Sequence, residues 1–284
     1  MIPAYPDFAE LSLKLRGELH PLFKNLKDGV SEHCFANIYL FRNTHSYKIA
    51  SLGNDLYVIT GKNKEEFFML PFGLPEKPVI DKLFEKYAFI KCVPERLANK
   101  LSEMGYRSEE DRDNFDYLYK RSDMATLAGR KFYKKKNRVK KFLSEYSPVC
   151  LPLTRDRTKD ALSILDLWKG EKDFWGDYDA ALDALQNMEA LSLCGCIYYV
   201  NDKPVAYTMG EELGSGNTFV VHFEKGIHEM QGLFQFVARH FASLLPEKYE
   251  FINREQDLGL EGLRHAKESL HPAEFVKKYK VFSK

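Results

Sequence analysis

The chain has 284 residues, with 42 Lys and Arg against 41 Asp and Glu and a formal net charge of +1. Hydrophobic residues make up 44% and aromatics 14%, which excludes a disordered chain. The length fits two compact domains or one large one, and the near-zero balance excludes any argument about partners from net charge, leaving only its distribution.

The pattern predicts a short alternating run and then an apolar-periodic segment over residues 8–27, interrupted by Pro21. A helix with Ser31 as N-cap covers S-E-H-C-F-A-N-I-Y-L-F-R. Strands follow at 47–52 and 56–60, with Gly53-Asn54-Asp55 as the hairpin turn between them. A third strand covers 66–72 and ends at Gly73-Leu74-Pro75. Next come a helix over 78–87 opening on Pro78, the strand F-I-K-C-V, and a helix from Pro94 to Gly105. The alternating run F-D-Y-L-Y-K at 115–120 reads as the last strand of this half.

The second half repeats the order. P-V-C-L-P-L is a strand, and T-K-D-A-L-S-I-L-D-L-W and Y-D-A-A-L-D-A-L-Q-N-M are helices. Cys194–Val200 and Val205–Glu211 form a hairpin across Asn201-Asp202-Lys203-Pro204, and Thr218–Glu224 is its third strand. A helix spans 228–245, Tyr249–Asn253 is a strand, Leu260–Ser269 a helix, and E-F-V-K-K-Y-K-V-F the final strand. A repeated pattern of this kind points to two α+β domains of one architecture. The boundaries expected are 1–122, a basic connecting helix at 123–147, and 148–284.

Cys34, Cys92, Cys150, Cys194 and Cys196 contain no C-x-x-C pair. Cys194 and Cys196 share one strand face, but no His or Cys pair completes a metal pattern, so they read as spectator thiols and no metal site is expected. An odd count without a framework suits a reducing compartment. The N-terminus lacks a basic start and an apolar core, and no apolar run reaches the ~20 residues of a membrane span. A soluble, cytoplasmic protein is expected.

Several stretches carry a resemblance. They are S-E-H-C-F-A-N-I-Y-L-F-R, L-A-G-R-K-F-Y-K-K-K-N-R-V-K-K-F, V-V-H-F-E-K-G and I-N-R-E-Q-D-L-G-L-E-G-L-R-H-A-K-E-S-L-H-P. Over nearly the whole chain the sequence resembles the bacterial family named for the C-terminal domain of phosphatidylglycerol lysyltransferase. The resemblance implies an α+β fold of two tandem GNAT-like domains, each a mixed, mostly antiparallel twisted sheet flanked by helices. It also implies kinship with Fem-type aminoacyltransferases, which move an aminoacyl group from a charged tRNA to a lipid or a peptidoglycan precursor. Nothing here matches the membrane-spanning half of the lipid lysyltransferases, which turns expectation away from a lipid acceptor.

Acyl transfer needs a nucleophile freed of its proton, donors for the developing oxyanion, and a hold on the donor's phosphates. Coenzyme A-binding members of the fold carry a Gly-x-Gly loop after the third strand, whereas here Gly226 and Gly232 stand apart. That departure favours an aminoacyl-tRNA donor over a coenzyme A thioester, with no required cofactor. Alternation along T-F-V-V-H-F-E-K puts Phe219, Val221, Phe223 and Lys225 on one face and Val220, His222 and Glu224 on the other. Glu224, at the strand end, is a candidate base or ammonium anchor; it reads equally as an ion pair to Lys225 or Lys267. His222 is a candidate substrate contact or a satisfied core histidine.

In the fold implied, the strand ending at Asn253 neighbours the third strand and then diverges from it, and the polar run Asn253–Asp257 opens into that gap. Asn253 and Asp257 are candidate positioning groups, Asp257 also a helix cap with Gly259 in the turn. Lys267 sits on an apolar stripe with Leu260, Leu263 and Leu270 and calls for an acid partner, Asp257 or Glu224; it reads as an electrostatic stabiliser or as a buried counter-ion. Arg254 and Arg264 read as facing solvent or phosphate. Trp168, Phe174, Trp175 and Tyr178 can frame an acceptor pocket or belong to the core.

From Arg130 to Lys141, eight of twelve residues are Lys or Arg and none is acidic. Phe132, Val139, Phe142 and Tyr146 keep a helical apolar stripe, so the segment docks on one side. Arg130, Lys131, Lys134, Lys135 and Arg138 are candidate phosphate contacts, for tRNA, a nucleotide-linked precursor or a lipid head group at a membrane surface. DNA is not an expected partner, and the sequence has no Ser/His/Asp set, P-loop or dinucleotide fingerprint. A binding protein of this fold without catalysis, and a coenzyme A-dependent N-acetyltransferase, are the alternatives.

Overall fold

Both hairpins turn on an Asn-Asp pair. Asn54 and Asp55 have φ of 52° and 58°, and Asn201 and Asp202 have φ of 50° and 59°. Two successive left-handed residues match the right-handed twist of the strands they join, which is why Asn and Asp serve there.

The computed structural model describes residues 1–170 and 177–284. It divides into two units, Met1–Asp116 with Gln256–Glu261 and Phe275–Lys284, and Tyr117–Glu255 with Gly262–Glu274. The strands are β1 (Ala9–Glu10), β2 (Lys48–Gly53), β3 (Leu56–Lys62), β4 (Glu66–Met69), β5 (Phe89–Pro94), β6 (Arg107–Glu110) and β7 (Asp116–Lys120). They continue as β8 (Val149–Pro152), β9 (Cys194–Val200), β10 (Lys203–Glu212), β11 (Thr218–Gly226), β12 (Phe251–Asn253), β13 (Glu274–Val276) and β14 (Lys278–Phe282).

The first unit's sheet runs β1-β2-β3-β4-β5-β14-β6, and the second unit's runs β7-β12-β11-β10-β9-β8. Each is antiparallel except for one parallel pair at the corresponding place, β4 with β5 and β11 with β12. The expected contiguous domains therefore need correction. β7 leaves the first half to pair with β12, and β14 returns to lie between β5 and β6. The basic segment is no separate connector either. Its helix, Tyr133–Glu145, buries Val139 and Phe142 against helix Leu233–Leu244 within the second unit, with the Phe142 and Phe236 rings stacked 5.1 Å apart.

Ser31 differs from expectation. The helix it was to cap, Phe35–Leu40, starts from Cys34, and all six of its residues are buried. Ser31 instead sends its N–H and its hydroxyl to Asp116, each at 2.8 Å. Lys278, completely buried in β14, joins this group by donating to Asp116 (2.6 Å) and to Glu32. Despite burial, Lys278 and Lys91 hold Glu32 down to about 2, while burial and the Glu32 charge push Asp116 up. One ammonium thus organises two carboxylates and ties the last strand to the first helices.

Removing that ammonium takes the principal counter-charge from two buried carboxylates. Lys278→Met is expected to lower unfolding free energy by about 3–5 kcal/mol in thermal or urea denaturation. Lys280→Ala, which removes a partly exposed lysine from a buried Asp111 at 3.1 Å while the Asn114 amide still donates to that carboxylate, is expected to cost less than Lys278→Met.

Candidate active site

β12 runs parallel to β11 for three residues only, with Thr218 opposite Phe251, Phe219 opposite Ile252 and Val220 opposite Asn253. β12 then stops while β11 continues to Gly226. A narrow cavity opens where they part, lined by Met124, Val221, Glu224, Ala238, Phe241, Ile252 and Arg254. It has room for about one water molecule. An ion pair closes its polar end: Arg254 donates from Nη2 to Glu224 Oε1 at 2.7 Å, with the side chains 17% and 12% exposed.

Glu224 reaches this cavity because the expected alternation breaks at His222. Met209 and Gly210 are consecutive on β10, yet their partners are Phe223 and Val221, so His222 is an extra residue in β11. The bulge moves Glu224 to the face of Phe219 and Val221, opposite Thr208, and leaves Lys225 on the other. Gly210 permits this, because a Cβ there would collide with the carbonyl of Val220. The partner of Glu224 is Arg254, in place of the expected Lys225 or Lys267. Lys225 turns to Asp177 at 2.5 Å and lies 3.6 Å over the Trp168 ring. Tyr178 donates its hydroxyl to Asp166 at 2.6 Å, and Phe174 and Trp175 lie outside the described residues.

Arg254 is correspondingly not solvent-facing. Burial works against its charge, but Glu224 and then Tyr119 raise its pKa above the usual arginine range. Asn253 is fully buried and accepts the Glu255 N–H on Oδ1 at 2.8 Å, so it shapes the strand end from inside and does not open into the gap. Glu255, at φ 55°, brings its carboxylate to 2.8 Å from His222 Nδ1, and His222 Nε2 lies 3.4 Å from Glu211. Lys267 donates to the carbonyls of Arg254 and Glu255, the latter at 3.0 Å. Tyr119 donates to the carbonyl of Lys267 at 2.8 Å. These links fix the chain just past β12, and neither the bulge nor this clamp has a local sequence signal.

Asp257 falls in the first unit, where it holds Arg112 at 3.1 Å and the Gly259 N–H at 2.8 Å. It closes the turn before Glu261–Glu268 and is not the cap of that helix. The expected apolar stripe is not buried either, since Leu260 is 58% and Leu263 37% exposed. Of the basic residues, Arg130, Lys134 and Arg138 are exposed. Lys131 pairs with Asp123 at 3.0 Å, and Lys135 donates to Ser269 at 2.7 Å, its pKa lowered by burial and by Arg138. The basic helix lies against the start of helix Leu233–Leu244: a Cβ on Gly232 would stand 2.5 Å from the Arg138 carbonyl, and Lys141 donates to Gln231 at 2.8 Å.

A doubled mixed sheet that parts after its third strand, flanked by helices, is the fold of tandem GNAT proteins. The chain belongs to the family described as phosphatidylglycerol lysyltransferase, C-terminal, which it matches over residues 23–282. It is similar to a conserved protein of unknown function from Bacteroides thetaiotaomicron, with 32% identity, TM-score 0.88 and all of both chains covered. It shares its fold with L-PGS from Bacillus licheniformis, at 15% identity, TM-score 0.66 and coverage of 100% of this chain and 94% of that one. It also shares its fold with FemX, at 8% identity, TM-score 0.59 and 96% of each chain. No curated protein matches it. Among the described residues, no helix is long and apolar enough to cross a membrane.

Lys267→Met removes the donor shared by two carbonyls. It is expected to cost about 1–3 kcal/mol of stability and to speed hydrogen exchange at the Tyr117 and Arg254 amides, which bond across the same strand end.

Proposed function

We propose that the protein is an aminoacyltransferase. It takes an aminoacyl group from aminoacyl-tRNA and passes it to an amine or hydroxyl by direct attack. The observation that carries this reading is the pair of opposite charges, Glu224 and Arg254, set side by side in the gap between β11 and β12. An aminoacyl ester presents an ammonium group next to a polarised carbonyl. Glu224 anchors the ammonium, and Arg254 faces the carbonyl oxygen as it gains charge. The acceptor attacks the carbonyl carbon, the ester C–O bond breaks, and the proton lost by the acceptor passes to the departing tRNA oxygen, which leaves as a hydroxyl. Family membership supports acyl transfer as the reaction class.

The basic helix supports a polyanionic donor. Exposed Lys134 and Arg138 stand on the helix that braces the start of helix Leu233–Leu244, with exposed Arg130 in the turn before it, at the usual place for a donor phosphate in an α/β site. The contact between Arg138 and Gly232 occupies the backbone turn that a coenzyme A pyrophosphate needs, which favours side-chain recognition of phosphate.

Incubation with labelled aminoacyl-tRNAs and a panel of amine and hydroxyl acceptors is expected to move label out of the tRNA. Glu224→Gln is expected to lower kcat/KM by about 10²-fold. Lys134→Glu with Arg138→Glu is expected to weaken tRNA binding and to reduce the salt slope of log K by about 1.5. Absence of both transfer and tRNA binding overturns the reading, and thermal stabilisation by acetyl-coenzyme A alone replaces it with coenzyme A-dependent transfer.

A further inference from the structure

The second sheet carries a group of reactive side chains that the transferase reading does not use. Cys150 on β8 stands opposite Tyr198 on β9, and Cys196 stands opposite Pro152. Tyr198 and Cys196 are two residues apart, so Cys150, Cys196 and Tyr198 share one face and the two thiols are diagonal neighbours. Helix Leu233–Leu244 covers that face and brings His240 to it. Its ring meets the Tyr198 ring edge-on at 5.7 Å, and its Nδ1 lies 3.4 Å from the Tyr198 hydroxyl. Cys150 and Cys196 are both half-buried, whereas Cys34 and Cys92 are buried.

We propose that Cys150 and Cys196 are a peroxide-reactive thiol pair that closes to a reversible disulfide between β8 and β9. Three features of the geometry support it. The pair sits on one face with an imidazole within reach. β8 is a four-residue edge strand bonded, among the described residues, to β9 alone. Diagonal neighbours stand about 7–8 Å apart, slightly beyond a relaxed disulfide, so closure draws the edge strand inward and leaves a bond that thiols reduce readily.

The electrostatics select the order of events. The hydrogen bond from Cys196, joined by His240 and Tyr198, lowers the Cys150 pKa to about 5 against its burial. Cys196 is raised by the same bond and by burial. The other titratable groups facing the pair are Cys194 on β9 and Glu224 on β11, which act on Cys196 and on Tyr198 respectively. Cys150 is therefore the thiolate. Its sulfur attacks one peroxide oxygen, the O–O bond breaks, and hydroxide leaves as water after taking a proton. The sulfenic sulfur then receives the Cys196 sulfur, releasing a second water and forming the S–S bond. Two thiols are oxidised and one hydrogen peroxide is reduced to two waters. The inference stands apart from the transferase reading.

The test uses the full chain and hydrogen peroxide near stoichiometry, followed by blocking of free thiols and peptide mapping with and without reductant. The expected result is loss of two of five thiols, a Cys150–Cys196 cross-linked peptide, and its disappearance with dithiothreitol. Cys196→Ser is expected to trap a dimedone-reactive sulfenic acid at Cys150, and Cys194→Ser to leave the cross-link intact. In unoxidised protein at pH 6, iodoacetamide is expected to modify Cys150 at least about 10-fold faster than Cys194, half-maximally near pH 5, and His240→Ala to slow it. Cross-linking of Cys194 instead, or over-oxidation of Cys150 with no bond to Cys196, overturns the proposal.

Discussion

The short parallel contact between β11 and β12 is the constraint on which the candidate site depends. Three residue pairs hold the strands together, and Asn253 ends the shared stretch. Beyond it, β11 has backbone groups with no β12 neighbour, and the side chains at the fork fall into a space that the sheet itself does not fill. The first unit has the corresponding fork between β4 and β5. There Leu70, Leu74, Ile90 and Leu97 dominate the lining. The second fork is lined by an acid and a base set face to face, Glu224 and Arg254, so two similar scaffolds carry differently charged forks.

The charges at that fork are held from behind. Lys267 grips the carbonyls of Arg254 and Glu255, Asn253 caps the Glu255 amide, and Glu255 meets His222. His222 is itself the residue whose insertion turns Glu224 toward the cavity. The bulge and the clamp are therefore one mechanical assembly, with polar groups buried because each answers another. This explains why so much hydrogen-bonding capacity sits at a point where a strand ends.

Much of the fold was legible in the chain. Asn-Asp turns announced both hairpins, Gly105 marked a helix end at φ 96°, and the order of strands and helices exposed the duplication. Those signals are local. The errors arose where partners lie far apart in sequence. F-D-Y-L-Y-K has the alternation of any strand, and nothing in it says that its neighbour is Phe251–Asn253. Alternation also assumed an unbroken register, which a single inserted residue at His222 reverses. Glu224, Asn253 and Arg254 stand out in the sequence as polar residues at strand ends, and Lys267 as a lysine on an apolar helical stripe. The pairings among them were not readable, because an ion pair has no periodicity.

The placement of β14 has a consequence for how the chain comes into being. β5 and β6 leave the ribosome early, yet the strand that joins them is made only with residues 278–282. Until then the first sheet has a missing plank, with the edges of β5 and β6 exposed to any passing strand. Glu32 and Asp116 wait for Lys278 throughout that interval. Vectorial synthesis thus delivers β14 after every other strand of its sheet, and that sheet closes only once residues 278–282 have been made.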